Sequence, residues 1–190
     1  MGLPEEPLKA AERILKGRET FINAGWINRE RFFVLMAGVG FDAEAVCSVS
    51  SGLKKGLGKL SYVLSGLKVL IKNPLKTIQV SIDGKDRHSL YGIIVCNSSR
   101  YAGNFRVCPD ASLFSPELHA LLIERGTRKD TLKAIVGIVT GKHLKYKGLA
   151  IKRGRHFRIE GPSKVQIDGD CYGRLPAEIE LRERVVRVIL

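Results

Sequence analysis

The sequence predicts a mainly β fold with attached helices (α+β), built as a sandwich or a barrel. Three observations carry this. After Pro74, short apolar runs recur between glycine-containing turns. The tripeptide Ile-Asp-Gly occurs twice, at 82–84 and 167–169, and Asp-Gly between alternating residues is a hairpin signal. The 190 residues show no repeats, low-complexity tracts or interior linker, so 1–190 read as one domain able to bury its own core.

The elements follow in order. Residues 5–16 read as a helix with acids at its start, and Gly17 stops it. Residues 20–24 and 31–37 read as strands, with 23–29 as the turn region. Gly38-Val-Gly-Phe-Asp42 is expected to break the second strand, and Asp42 to cap a helix running through Ser48. Residues 59–72 give the clearest helix: Leu60, Val63, Leu64, Leu67, Leu70 and Ile71 share a face, and Asn73-Pro74 ends it. Strands at 77–82 and 88–96 flank Asp83-Gly84. Further strands are expected at 105–108, 119–124, 149–152, 155–159, 164–167, 177–181 and 185–189, with one helix at about 129–140.

Composition narrows the function. Hydrophobic residues make up 44% and charged residues 27%, a globular balance. No apolar stretch approaches the roughly 20 residues of a membrane-crossing helix. The first residues lack the basic start and apolar run of a signal peptide. Cys47, Cys96, Cys108 and Cys171 are widely spaced, without a C-x-x-C pair, so reduced thiols in a cytoplasmic protein are expected rather than a disulfide or metal framework. The four histidines are scattered and read as structural or solvated.

The net charge is +13, and its placement matters. Residues 51–76 hold six lysines and no acid; residues 142–158 hold seven Lys/Arg and no acid. Two such segments suggest an anionic partner, a membrane surface or a polyphosphate, against the plainer reading of a solvated basic face. Aromatic interleaving is weak, so nucleic acid is not an expected partner.

Three stretches carry chemistry. Residues 163–176 place Asp168 and Asp170 on either side of Gly169 at a turn, where a carboxylate could accept the proton of an attacking hydroxyl or help hold a metal; the plainer reading is a second hairpin like that at Asp83-Gly84. Residues 97–112 join two strands through a polar, glycine-containing loop, a binding rim or a long hairpin loop. Residues 52–61 invite a phosphate-loop reading but fail its spacing: five residues separate Gly52 from Gly58, and Leu60 follows Lys59.

Met36-Ala-Gly-Val-Gly-Phe-Asp-Ala-Glu44, Asn97 through Ser112, Val165-Gln-Ile-Asp-Gly-Asp170 and the helix from Lys55 to Gly66 together resemble the bacterial lipid kinases of the diacylglycerol kinase and sphingosine kinase type. The resemblance implies a two-sheet β-sandwich, the second domain of an ATP- and Mg²⁺-dependent enzyme that transfers the γ-phosphate to a lipid hydroxyl. The family's nucleotide-binding domain carries Gly-Gly-Asp-Gly-Thr, which this sequence lacks. Gly2-Leu-Pro4 resembles the tail of the segment that follows that motif. The chain is therefore expected to need its own N-terminal domain as partner and to be inactive alone.

The resemblance assigns Asp170 as general base, with Asp168 bracing the turn or helping to place a metal. Ser112, Ser115 and Glu117 fall at positions of a structural Mg²⁺ site, Glu117 through its carbonyl. Two departures stand out. Asp170 replaces a usual Glu, shortening the reach by about one C–C bond, ~1.5 Å. Ser115-Pro116 replaces Asp-Gly, which puts the Mg²⁺ in doubt. The basic segments imply peripheral membrane contact; a homodimer is left open. Two other readings remain: a non-enzymatic sandwich that binds anionic membranes or a partner, and a relative of the NAD kinases.

Overall fold

The computed structural model describes residues 6–48, 76–101 and 105–189. The expected helix at 59–72, the glycine-lysine segment at 52–61 and nearly all of the first basic segment lie outside them.

Among the described residues, two six-stranded antiparallel sheets are stacked. The first contains β1 (Glu19–Ile27), β2 (Arg31–Phe33), β4 (Ile78–Ile82), β5 (Asp86–Leu90), β11 (His156–Glu160) and β14 (Ala177–Ile189), in the order β2-β1-β14-β11-β4-β5. The second contains β3 (Met36–Gly40), β6 (Gly92–Cys96), β9 (Leu118–Ile123), β10 (Leu149–Gly154), β12 (Lys164–Ile167) and β13 (Asp170–Arg174), in the order β10-β9-β6-β3-β12-β13. A small ribbon pairs β7, Arg100–Tyr101, with β8, Phe105–Arg106. Helices α1 (Pro7–Lys16), α2 (Phe41–Ser48) and α3 (Arg128–Thr140) are attached. The expected two-sheet sandwich is therefore present.

Packing explains the patterning. In β4 the side chains of Ile78, Val80 and Ile82 are buried while Gln79 is exposed, so only one face of the first sheet meets the core. Strand β6, Gly-Ile-Ile-Val-Cys, is buried throughout. Its inner residues Ile93 and Val95 join Phe33, Phe157, Ile159, Ile179 and Leu122 between the sheets. Its outer residues Ile94 and Cys96 lie in a second cluster with Met36, Val107, Cys108 and Leu121, against which Ile138 of α3 packs. Each fully buried Ile, Leu or Phe contributes about 1.5–3 kcal/mol, so the interlayer sets stability and the turns set register.

Several boundaries differ from the sequence expectations, two of them because the chain changes sheets. The 31–37 strand divides at Val34-Leu35, with β2 in the first sheet and β3 in the second. The 88–96 strand divides at Tyr91 in the same way. The turn placed at 23–29 is shorter and later, because β1 runs to Ile27. Asn23 is instead a buried junction. Its N–H donates to the Leu113 carbonyl and its Nδ2 to the Ser115 carbonyl; its Oδ1 accepts from the Arg184 N–H and its own carbonyl from Asn97 Nδ2. The last two expected strands are one, β14, kinked at a bulge where Arg184 has φ 54° opposite the irregularity between Ile22 and Ala24.

Candidate functional site

Both Ile-Asp-Gly segments form tight hairpin turns with the aspartate and glycine left-handed: φ is 50° and 70° at Asp83-Gly84, and 49° and 89° at Asp168-Gly169. Asp-Gly suits this turn because glycine has no Cβ to clash and aspartate tolerates the region. The Asp168 carboxylate is occupied: Oδ2 accepts from the Val34 N–H at 2.8 Å, and Oδ1 accepts from the N–H groups of Leu35 and Met36, both at 2.9 Å. It clasps the backbone where the chain crosses from β2 to β3, a bracing arrangement.

Asp170 is the first residue of β13, paired with Ile167, and β13 is an edge strand of the second sheet. Its side chain is exposed. The same turn thus presents two exposed acids: Asp168 accepts from three backbone N–H groups, and Asp170 begins the border strand of the second sheet among the described residues.

Cys171 comes next and is bonded to Cys47 at the end of α2, which corrects the expectation of four reduced thiols. The two are 124 residues apart in sequence, and nothing in their spacing shows that α2 lies across the β12–β13 hairpin and brings their Cα atoms to 4.9 Å. Cys96 and Cys108 are free and buried, as expected. Lys164 pairs with Glu44 at 3.2 Å, so α2 is joined to this hairpin by an ion pair as well.

A third link is Asp42. Helix α2 begins at Phe41, so Asp42 lies inside its first turn and does not cap it. Strand β3 likewise runs on through Gly38 to Gly40 instead of breaking there. The Asp42 carboxyl is buried and bonded to two side chains. Tyr101 Oη meets Oδ1, and Gln166 Nε2 donates to Oδ2 at 2.7 Å. Burial pushes its pKa above the usual carboxylate value, and the two hydrogen bonds oppose the shift. Gly38 pairs with Gln166 across β3 and β12; a Cβ there would overlap Asp42 Oδ2 and stand 2.6 Å from Gln166 Nε2. Three stretches distant in sequence therefore meet at one point: Gly38 and Asp42 from 36–44, Tyr101 from 97–112, Gln166 from 163–176. Sequence reasoning missed Tyr101 and Gln166. The available signal was a glutamine between two apolar residues of a strand.

Ser112, Ser115 and Glu117 share one loop. Ser112 Oγ accepts from the Phe114 N–H and Ser115 Oγ from the Glu117 N–H, both at 3.3 Å. The Ser115 carbonyl is held by Asn23, and Arg155 donates to the Pro116 carbonyl at 2.8 Å. Two hydroxyls and a carbonyl beside a guanidinium are poor chemistry for Mg²⁺, which favours carboxylate oxygen. The donor set does not fit the ion.

Elsewhere, His156, Glu178 and Glu180 bring their ligand atoms within 4.8 Å of one another on the first sheet. Glu180 already pairs with Arg182 at 2.9 Å and Arg29 at 3.5 Å, so the cluster reads as ion pairs. In the second basic segment Arg153, Arg155 and Arg158 pair with Asp110, Glu183 and Glu160. A cavity of about 230 Å³ is lined by Arg125, Lys133, Lys145 and Lys147 together with Asp130 and Tyr146. It also touches Ile123, at the end of the second sheet where Gly92 pairs with Gly40, away from the Met36–Cys96 end that carries the Asp168 turn.

Comparison with known proteins bears on this geometry. The model of the YegS C-terminal NAD kinase beta sandwich-like domain matches residues 36–190. A diacylglycerol kinase of Bacillus subtilis (strain 168) is 25% identical over 194 residues, covering 100% of this chain and 64% of its own length. A Serratia proteamaculans (strain 568) protein named "Probable lipid kinase YegS-like" is 30% identical over 202 residues, covering 94% of this chain and 62% of its own length. The crystal structure of a diacylglycerol kinase from Bacillus anthracis str. Sterne aligns with a TM-score of 0.69 at 19% identity, over 99% of this chain and 62% of that one, a likeness of fold. The chain thus spans less than two thirds of the length of these relatives.

Proposed function

Since this chain belongs to the YegS C-terminal NAD kinase beta sandwich-like domain family, we propose that it is the sandwich domain of an ATP-dependent lipid kinase of the diacylglycerol kinase type. Two relatives named as diacylglycerol and lipid kinases support the substrate class. ATP, bound mainly by a companion nucleotide-binding domain, would supply the phosphoryl group. Asp170 accepts the proton of the lipid hydroxyl as its oxygen bonds to phosphorus and ADP leaves. Asp168 holds the turn through its three backbone hydrogen bonds. Alone, the chain is expected to transfer no phosphate.

The observation that carries this reading is the placement of the second acid: Asp168 braces the turn through three backbone hydrogen bonds, and the turn holds the exposed Asp170 on the border strand of the second sheet, which a second domain can approach. The test is Asp170→Asn in the enzyme that contains this chain, assayed with ATP and diacylglycerol in mixed vesicles, and with NAD as the competing acceptor. Turnover should fall by about 10²- to 10⁴-fold with an unchanged melting temperature. Full activity in that variant removes Asp170 from the mechanism, and transfer to NAD instead of lipid moves the enzyme to the NAD kinases.

A second reading concerns the partner. The cavity lined by Arg125, Lys133, Lys145 and Lys147 favours an anionic membrane surface. Sedimentation with phosphatidylglycerol vesicles should decline steeply between low and physiological salt. Equal binding to neutral vesicles counts against it.

A further inference from the structure

The hydrogen bonds around Asp42 do not end at Gln166. Gln166 Oε1 accepts from the N–H of Gly169 at 2.9 Å, the residue between Asp168 and Asp170. A continuous chain runs from Tyr101 through the Asp42 carboxyl and the Gln166 amide into the backbone of the turn. We propose that Asp42 and Gln166 are positioning residues: the Asp42 carboxyl fixes the Gln166 amide in one orientation, and that amide holds the Gly169 N–H, which sets the approach of Asp170. The catalytic half of this inference rests on the reading of Asp170 as base; the structural half stands without it.

The chemistry of the two ends makes the lock specific. A glutamine amide is nearly symmetric in shape, so only its partners decide which end faces which way. Here one side offers a carboxyl oxygen and the other an N–H. Reversing the amide would set Gln166 Oε1 against Asp42 Oδ2 and its NH₂ against the Gly169 N–H, two repulsive contacts in place of two bonds. The lock survives either protonation state of Asp42. When the carboxyl is ionised, Tyr101 donates to Oδ1; when it is protonated on Oδ1, the Tyr101 hydroxyl accepts, and Oδ2 still faces the amide.

Burial gives these bonds their weight. Gln166 is 1% exposed and Asp42 9%, so water does not replace a bond that is lost. Gly38 provides the room in which the carboxyl and the amide meet. Glu44–Lys164 and Cys47–Cys171 hold the same helix to the same hairpin, so the carboxyl cannot drift away from the amide.

The test reverses the polarity of the chain. In Gln166→Glu two acids face each other; in Asp42→Asn the carboxamide keeps both partners by turning its NH₂ to the Tyr101 hydroxyl and its oxygen to Gln166, as the protonated carboxyl does. In the double variant D42N/Q166E, the carboxamide now at position 42 can donate to one oxygen of the carboxylate now at position 166, while the other oxygen accepts from Gly169. Amide exchange of Gly169 is read in the chain of 190 residues, with Gly84 of the other Asp-Gly turn as internal reference. Gln166→Glu should speed Gly169 exchange about tenfold or more relative to Gly84, Asp42→Asn alone should leave it within about threefold of the parent, and the double should return to within about threefold of the parent. In the enzyme that contains this chain, kcat should follow the same pattern with KM for ATP unchanged.

Unaltered Gly169 exchange in Gln166→Glu overturns the proposal, as does a double variant that exchanges as fast as Gln166→Glu or fails to fold. Altered exchange with unaltered kcat removes the catalytic half. A parent enzyme that phosphorylates no lipid defeats the kinase reading alone, because the exchange measurement still decides whether Asp42 and Gln166 hold the turn.

Discussion

At residues 82–85 and again at 167–170 the backbone makes the same bend, with aspartate and glycine both left-handed. The aspartate carboxylate does the same work in each. Asp83 Oδ1 accepts from the N–H groups of Arg155 and His156 where the chain passes from β10 to β11, and Asp168 accepts from Val34, Leu35 and Met36 where it passes from β2 to β3. Each turn therefore grips a place where the chain changes sheets. The two differ in the residue after the glycine and in the support behind the bend. The first turn continues with Lys85. The second continues with Asp170, and α2 is bonded to its hairpin through Gln166, Lys164 and Cys171. Local turn chemistry thus gives a bend, and a bend becomes a candidate site only when a second element fixes it.

Three measurements bear on that contrast. Reducing the Cys47–Cys171 bond, which closes a 124-residue separation, should lower the free energy of unfolding by about 2–4 kcal/mol in urea titrations with and without dithiothreitol. Exchange at Gly169 should quicken while Gly84 stays as it was. An unmoved urea midpoint would show that the bond contributes nothing. Next, Asp168→Ala strands three N–H groups and Asp83→Ala strands two, at partly solvated positions. Losses of about 2–3 and 1–2 kcal/mol are expected in thermal unfolding, and the reverse order would undo the claim that the second turn is gripped harder. The smallest effect is the most telling for equality of the bends. A Cβ at Gly84 or Gly169 meets nothing within 4 Å, and both have positive φ, so Gly84→Ala and Gly169→Ala should each cost about 1–2 kcal/mol. A large gap between them would mean that the backbone geometries are not equivalent in solution.

Much of the fold is legible in the sequence because its signals are local. Alternation in 78–82, the two Asp-Gly turns and the stop at Gly17 depend on near neighbours. The helix expected at about 129–140 is α3, capped by Thr127, whose hydroxyl accepts from the Asp130 N–H. The illegible part depends on register between distant strands. The break at Tyr91 and the joining of 177–189 into one strand come from which sheet each segment enters. Asp42 reads as a helix cap because Asp before a helical run often is one, and only the pairing of Gly38 with Gln166 shows that its carboxyl points into the protein. Asp168 can be placed as a brace from its turn, but its three donors come from residues 34–36, more than 130 positions away.

Gly38 has neither a positive φ nor a turn to make, yet it is where a hydrogen atom stands in for a methyl group. Any larger residue would wedge an acid and an amide apart and be felt, through one glutamine, at the rim where Asp170 sits. Drift at this position is therefore coupled to drift at 42, 101 and 166, and the four should change in concert or not at all.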